Sequence, residues 1–223
     1  MKSSLWPGIK LVFTKEFTLG LRFKAAWWAM LMFALTTLAC VSMALQGAPL
    51  EPNLAAALLW IILFFASMAG ADRSFADEDM AGTLATLKLY GAAQMVLWGK
   101  LLYTGFLLLC LTVFIAPLFL LLTGAEVVLG GVFLGTLLLG TLGISAAGTL
   151  IAALTCGAQV KSGLFSILML PVILPVFLPA IFLTAGALGG GSAHLSYLVG
   201  MALYDGVLLM GASVLFDYLW YED

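Results

Sequence analysis

The sequence predicts an all-α polytopic membrane protein with six transmembrane helices. Composition is the first reason: of 223 residues, 64% are hydrophobic and 9% charged, against roughly 45–50% and ~25% in soluble domains. The second is spacing. The apolar residues gather in six runs, each close to the roughly 20 helical residues that cross a hydrocarbon core of ~30 Å. The third is the placement of charge. All nine Lys and Arg residues lie before the first run, or at the segments following the second and the fourth. A Lys/Arg bias of this kind sets orientation, and it puts both termini in the cytoplasm.

Taken in order, residues 1–24 come first. Leu5, Ile9, Phe13, Phe17 and Leu21 recur every four residues, with Lys10, Lys15, Arg22 and Lys24 around them. This predicts an amphipathic helix at the membrane interface, serving either as a moving elbow or as a basic topogenic flank. The six-helix membrane domain occupies 25–223. Its runs are Ala25 to Gln46, Leu54 to Ala71, Lys100 to Leu122, Val127 to Thr155, Leu164 to Leu188 and Tyr197 to Phe216. The first run is longer than the apolar core of a signal peptide and starts later, so it reads as a span.

The longest polar stretch is the loop 72–100. Ser74-Phe75-Ala76-Asp77 has the form of a capping box, which predicts a helix running from 74 to Gly91. Asp77, Glu78 and Asp79 fall in its first turn, where the helix dipole favours carboxylates. Met80, Leu84 and Leu87 form an apolar edge. Such a helix either docks into a groove on a soluble partner or lies on its own bundle.

Within the spans, Pro171, Pro175 and Pro179 stand four residues apart on one helical face. They predict a kinked or broken fifth span whose proline face looks into the bundle or at a partner rather than at lipid, because proline frees backbone carbonyls. Gly189-Gly190-Gly191-Ser192 is an outer turn, and the segment before it is a candidate for dipping back into the membrane. Gly131 and Gly135 form a G-x-x-x-G pair, continued by Gly140, Gly143 and Ala147, which suits close helix packing. Asp205 is the carboxylate deep in a span and a functional candidate on that ground. His194, the only histidine, falls on the outer face, as a solvated loop residue or a low-weight candidate for haem contact. Cys40, Cys110 and Cys156 show neither a zinc nor a disulfide pattern and read as small apolar side chains.

Several function classes are excluded by what the residues offer. A net charge of -2 supplies no basic field for nucleic acid. The nearest approach to a phosphate-binding loop, Gln94 to Leu101, has Gln at the first glycine position and Leu after Gly99-Lys100. No Ser/His/Asp set can be assembled, and no metal-ligand spacing is present. The chain is therefore expected to be neither an enzyme nor a direct binder of ATP, metal or cofactor.

The order Asp72-Arg73-Ser74-Phe75, Asp77-Glu78-Asp79, Gly82-Thr83-Leu84, Gly99-Lys100, Pro117-Leu118, Leu134-Gly135-Thr136 and Leu168-Met169-Leu170-Pro171 resembles the CcmB (haem exporter protein B) family. The likeness covers most of the chain from about 65 to 185. The resemblance implies an ABC-2-type exporter-like permease in the bacterial inner membrane. It would be the non-ATPase subunit of a cytochrome c maturation complex. Its implied partners are an ATP-binding subunit (CcmA), a haem-handling membrane subunit (CcmC), a small membrane subunit (CcmD) and a periplasmic haem chaperone (CcmE). The resemblance makes 74–91 the ATPase-coupling helix, carried by Arg73, Phe75, Asp77, Glu78, Asp79, Gly82, Thr83 and Leu84. Haem would be cargo and ATP would sit on the partner. The Trp-Trp-Asp haem segment of the haem-handling subunit is missing, since Trp27-Trp28 is followed by Ala29. Two other readings share these features: a generic ABC-2 permease for a lipid, polysaccharide or drug, and a structural scaffold of a haem-delivery complex.

Overall fold

The computed structural model describes residues 5–71, 75, 78, 81–155 and 161–221. Among these the bounded elements are all helices: α1 Leu5–Arg22, α2 Ala25–Leu45, α3 Pro52–Ala71, α4 Leu84–Tyr90, α5 Ala93–Thr123, α6 Gly130–Thr155, α7 Lys161–Ala187 and α8 Leu195–Tyr221. Helices α2, α3, α5, α6, α7 and α8 are long and apolar enough to cross a membrane. The fold class read from the sequence is thus the fold class found.

Helix α6 is the hub. It packs on α3, α5, α7 and α8, and its second half is buried nearly all round. Small residues make this possible, because they let neighbouring backbones approach. Gly140 faces the Trp60 indole of α3, whose Nε1 donates to Thr184 Oγ1 of α7 at 2.9 Å. Gly143 faces Asp205 of α8 and Val176 of α7. Gly135 lies in ordinary contact with Leu198 of α8, while Gly131 faces open space. The small-residue run therefore works inside the bundle.

Two boundaries differ from the sequence reading. Helix α5 begins at Ala93 rather than Lys100, because Gly91 and Ala92 are extended and end the preceding turn. The polar first turns of α5 are then held by protein. Gln94 Nε2 donates to the Ser213 carbonyl oxygen of α8 at 2.9 Å, and Ser213 Oγ donates back to Gln94 Oε1 at 2.9 Å. The predicted 74–91 helix is interrupted. Phe75 and Glu78 are helical, the chain turns at Ala81 and Gly82, and α4 starts only at Leu84. Gly82 has φ 67, a left-handed conformation that halts a helix and suits glycine.

Of the two forms expected for the proline span, the broken one is not found. Helix α7 is continuous from Lys161 to Ala187 with all three prolines inside it, so that stretch contains no re-entrant break. Pro171 and Pro175 are exposed on the bundle surface and Pro179 is half-buried. The opposite face, with Met169, Ile173, Val176 and Ala180, is the buried one. An apolar pyrrolidine ring sits well against lipid; the polar cost falls on the backbone carbonyls. One residue beyond the Pro171 carbonyl that Pro175 leaves without its helical donor, the Tyr204 hydroxyl donates to the Val172 carbonyl oxygen at 2.8 Å and ties α8 to this turn.

Because a Cβ on Gly140 would overlap the Trp60 ring, Gly140→Val is expected to cost ~1–3 kcal/mol by overpacking. Thermal unfolding of the purified protein in detergent checks this, with Gly131→Val, at an open position, as the silent control.

Candidate functional site

The site is built where α1 crosses the start of α5. Glycine sets the approach: a Cβ on Gly99 would lie 2.6 Å from Val12 Cβ and 3.2 Å from the Ile9 carbonyl oxygen. Phe13 and Phe17 of α1 then meet Phe106 of α5 edge-on, at centroid distances of 6.2 and 5.9 Å. This is the central part of the predicted apolar stripe; Leu5 and Leu21 at its ends are exposed. The crossing carries Lys15 and Glu16 over Lys100, which stands about two turns into α5.

Four charges of the described residues meet there. Lys100 Nζ lies 2.9 Å from Glu16 Oε1 and 3.0 Å from Glu78 Oε2. Lys15 Nζ lies 3.1 Å from the same Glu16 oxygen and is hydrogen-bonded to Glu78 Oε1. Lys100 is 1% exposed, and its ammonium also sits 4.6 Å from the centroid of the Phe75 ring, a cation–π contact strengthened by desolvation. A lone ammonium buried this far would be expelled or neutralised. Among the described residues two carboxylates hold it, and Lys15 bridges the same two. For Lys15, burial opposes the charge, but the hydrogen bond to Glu78 and the fields of Glu16 and Glu78 outweigh it, so its pKa stands above the ordinary lysine value.

The cluster continues into aromatic packing. Phe75, beneath Lys100, is 5.6 Å from Phe216 of α8, which in turn is 5.1 Å from Trp220. Trp220 Nε1 donates to the Gly91 carbonyl oxygen at 3.1 Å. The segment between α3 and α5 is thereby gripped on one flank by α1 and on the other by the end of α8.

Of the predicted coupling residues, Arg73, Asp77 and Asp79 lie outside the described residues, as does Ser74 of the capping box. Phe75 and Glu78 are buried and belong to the internal cluster, so neither presents itself to a partner as an exposed docking residue would. Gly82 and Thr83 are exposed in the turn, with the Thr83 N–H donating to the Glu78 carbonyl oxygen at 3.0 Å. Leu84 opens α4, whose outward point is Leu89, 77% exposed. Lys15, Glu16 and Lys100 were not singled out as site residues from the sequence, although two signals were there. Glu16 is the sole acid in residues 1–24, and Lys100 is the only charge between Gln94 and Thr123.

Away from this cluster, Asp205 is 1% exposed at the junction of α6, α7 and α8, and neither carboxylate oxygen has a hydrogen-bond partner among the described residues. His194 is exposed between α7 and α8, its Nε2 3.1 Å from Ser192 Oγ. Among the described residues no group of three or more His, Cys, Asp or Glu stands ready to hold a metal.

Six apolar helices, with a charge cluster joining the outlying helix to the polar segment between two spans, define a polytopic membrane protein. The family model for CcmB protein matches residues 9–217, and the chain belongs to that family. It is accordingly a membrane component of the cytochrome c maturation ABC transporter. No curated protein matches the chain.

Removing Lys100 leaves Glu16 and Glu78 in a desolvated site with Lys15 as the one cation they share among the described residues. Lys100→Met is expected to cost ~3–5 kcal/mol, and the triple change with Glu16→Gln and Glu78→Gln to recover most of that loss. Thermal unfolding across this set checks both. Lys15 has a raised pKa, so its contribution is complete at all pH values below the ordinary lysine range and is lost as pH climbs through the folded value. Protection of α1 against proteolysis is expected to hold steady through neutral pH and to fall in strongly alkaline solution; for Lys15→Met that alkaline step disappears.

Proposed function

We propose that this chain, in the bacterial inner membrane with both termini cytoplasmic, couples ATP hydrolysis in CcmA to haem transfer to, or release of, the chaperone CcmE. In this reading CcmC handles the haem, CcmD accompanies it, and the chain contributes motion rather than a ligand. The observation that carries the reading is the double grip on the segment between α3 and α5. Force applied at the exposed turn Gly82–Thr83 or at Leu89 passes through Glu78 and Phe75 into α1, α5 and α8 together. The contact with the ATPase is assigned to the exposed turn and α4, and the buried Glu78 to transmission. His194 has no role in this reading beyond its loop.

Asp205 supplies the other end of the stroke. A buried carboxylate without a hydrogen-bond partner among the described residues is costly, and a shift of α8 against α6 that gives it one is the rearrangement it favours. Its contact with Gly143 places it at the seam where such a shift would occur.

Two variants separate docking from transmission. Leu89→Asp is expected to abolish co-purification with the ATPase. Lys100→Met with Glu16→Gln and Glu78→Gln is expected to leave co-purification intact while cutting ATP-dependent cytochrome c maturation at least about tenfold. Asp205→Asn is expected to lose maturation at normal membrane levels. Full maturation by complexes whose ATPase is catalytically dead would instead establish a scaffold.

A further inference from the structure

We infer that Asp205 is a proton-binding site: its carboxyl is seated between α6, α7 and α8 as the neutral acid, and the seam between α8 and α6 closes on uptake of one proton and opens on its release. The seat is shaped for a carboxyl. Asp205 is 1% exposed. A Cβ on Gly143 would lie 2.6 Å from Asp205 Oδ1 and 2.9 Å from the Val176 side chain, so glycine leaves the space that the carboxyl fills. Gly143 stands about 18 Å or more by helix rise from either end of α6, in the middle of a span. Met201 and Leu208, on the same face of α8 as Asp205, are buried and apolar.

The described surroundings hold nothing that would keep the carboxyl ionised. Neither oxygen has a hydrogen-bond partner among the described residues. Helix α6 contains no titratable side chain from Gly130 to Thr155. In α7 the one such residue is Lys161, about 22 Å by helix rise from Val176. In α5, Lys100 belongs to the cluster with Glu16 and Glu78, Tyr103 meets Trp27, and Cys110 lines a cavity with Trp27 and Trp28, all on the side of α1 and α2. On α8 itself, Tyr204 donates to Val172, Tyr197 packs on Phe182 and His194, and Asp217, Tyr218 and Tyr221 begin about 18 Å further along. A metal ion would need several more oxygen ligands, whereas a proton needs one lone pair and removes the charge whose burial is costly. When the seam opens, the carboxyl O–H gives its proton to a water molecule and the carboxylate stays behind hydrated; closing runs the reverse. The closed seam therefore binds one proton more than the open one. Acid favours closing and alkali favours opening, on the order of tenfold per pH unit above the ordinary aspartate range. The inference stands on the seam alone and holds whether or not the chain transmits force from an ATPase; where it does, proton release frees α8 for its shift.

The test is the infrared spectrum of the full chain, purified in a detergent free of ester and acid groups, at about pH 7, where ordinary Asp and Glu side chains are ionised. The C=O band of a protonated carboxylic acid, marked by its shift in deuterated water, is expected in the wild-type chain and not in Asp205→Asn. That variant is expected to fold normally, since a neutral amide of the same shape replaces a neutral acid. Absence of the band from the wild-type chain overturns the inference without any variant. A band that survives in Asp205→Asn overturns it too, by placing the proton on another acid, and so does a failure of Asp205→Asn to fold, which would mean an ionised carboxylate held by a cation. Spin labels at Leu138 of α6 and Val207 of α8, both exposed, are expected to move apart as raised pH removes the band, and to keep their distance in Asp205→Asn. Loss of the band with no change in that distance overturns the opening of the seam. Cytochrome c maturation is not among these readouts, so this inference and the coupling reading can fail separately.

Discussion

Lys100 is a full charge buried in the first turns of a helix that goes on to cross the membrane, and the arrangement around it follows from the need to keep it there. The hydration energy that an ammonium loses among apolar side chains is offset only when carboxylates approach to hydrogen-bond distance and the remaining donors are met. Glu16 and Glu78 do this from two different parts of the chain, and Phe75 closes the third side with its ring. Neither acid is adjacent to Lys100 in sequence. The ion cluster is therefore a tertiary lock: Lys100 keeps both of the carboxylates described here only while α1, the segment between α3 and α5, and α5 itself are together.

Packing makes the lock possible and extends it. Gly99 brings α1 close enough for Glu16 to reach Lys100, and the Phe13, Phe17 and Phe106 rings hold α1 in register. On the far side, Phe216 and Trp220 connect the same segment to α8, which carries Asp205 further along its length into the α6 hub. A displacement at the loop thus has a continuous material route to the middle of the bundle. The route is a chain of packed and bonded side chains, and its use as a coupling path is what the variants described above examine.

Much of this was legible in the sequence. The six spans announce themselves because lipid demands unbroken apolar helix, and a rule that strict leaves little freedom. The ends were less legible. Helix α5 starts before Lys100 because its polar first turns are covered by Ser213 and Trp220, partners more than a hundred residues away that no local pattern reveals. The capping-box pattern pointed to one helix up to Gly91, yet Gly82 alone adopts φ 67 and divides it. Proline spacing pointed to a kinked or broken span facing the bundle or a partner; the helix runs unbroken, and Pro171 and Pro175 stand on the surface of this chain rather than in its bundle. Glu78 was legible as important and misread as exposed, because a carboxylate in a cytoplasmic loop looks solvated until the buried lysine that claims it is known.

The central claim is that α1 and the segment bearing α4 move as one body, joined through Lys100. Paired spin labels at Leu11 and Leu89, both exposed, measured in the assembled complex with and without ATP, address it directly. The α1–α4 distance is predicted to stay fixed through the cycle, while the distance from Leu89 to Val128, in the α5–α6 loop, changes. A change in the Leu11–Leu89 distance on ATP addition would mean that the ion cluster opens during the cycle, and would contradict the account.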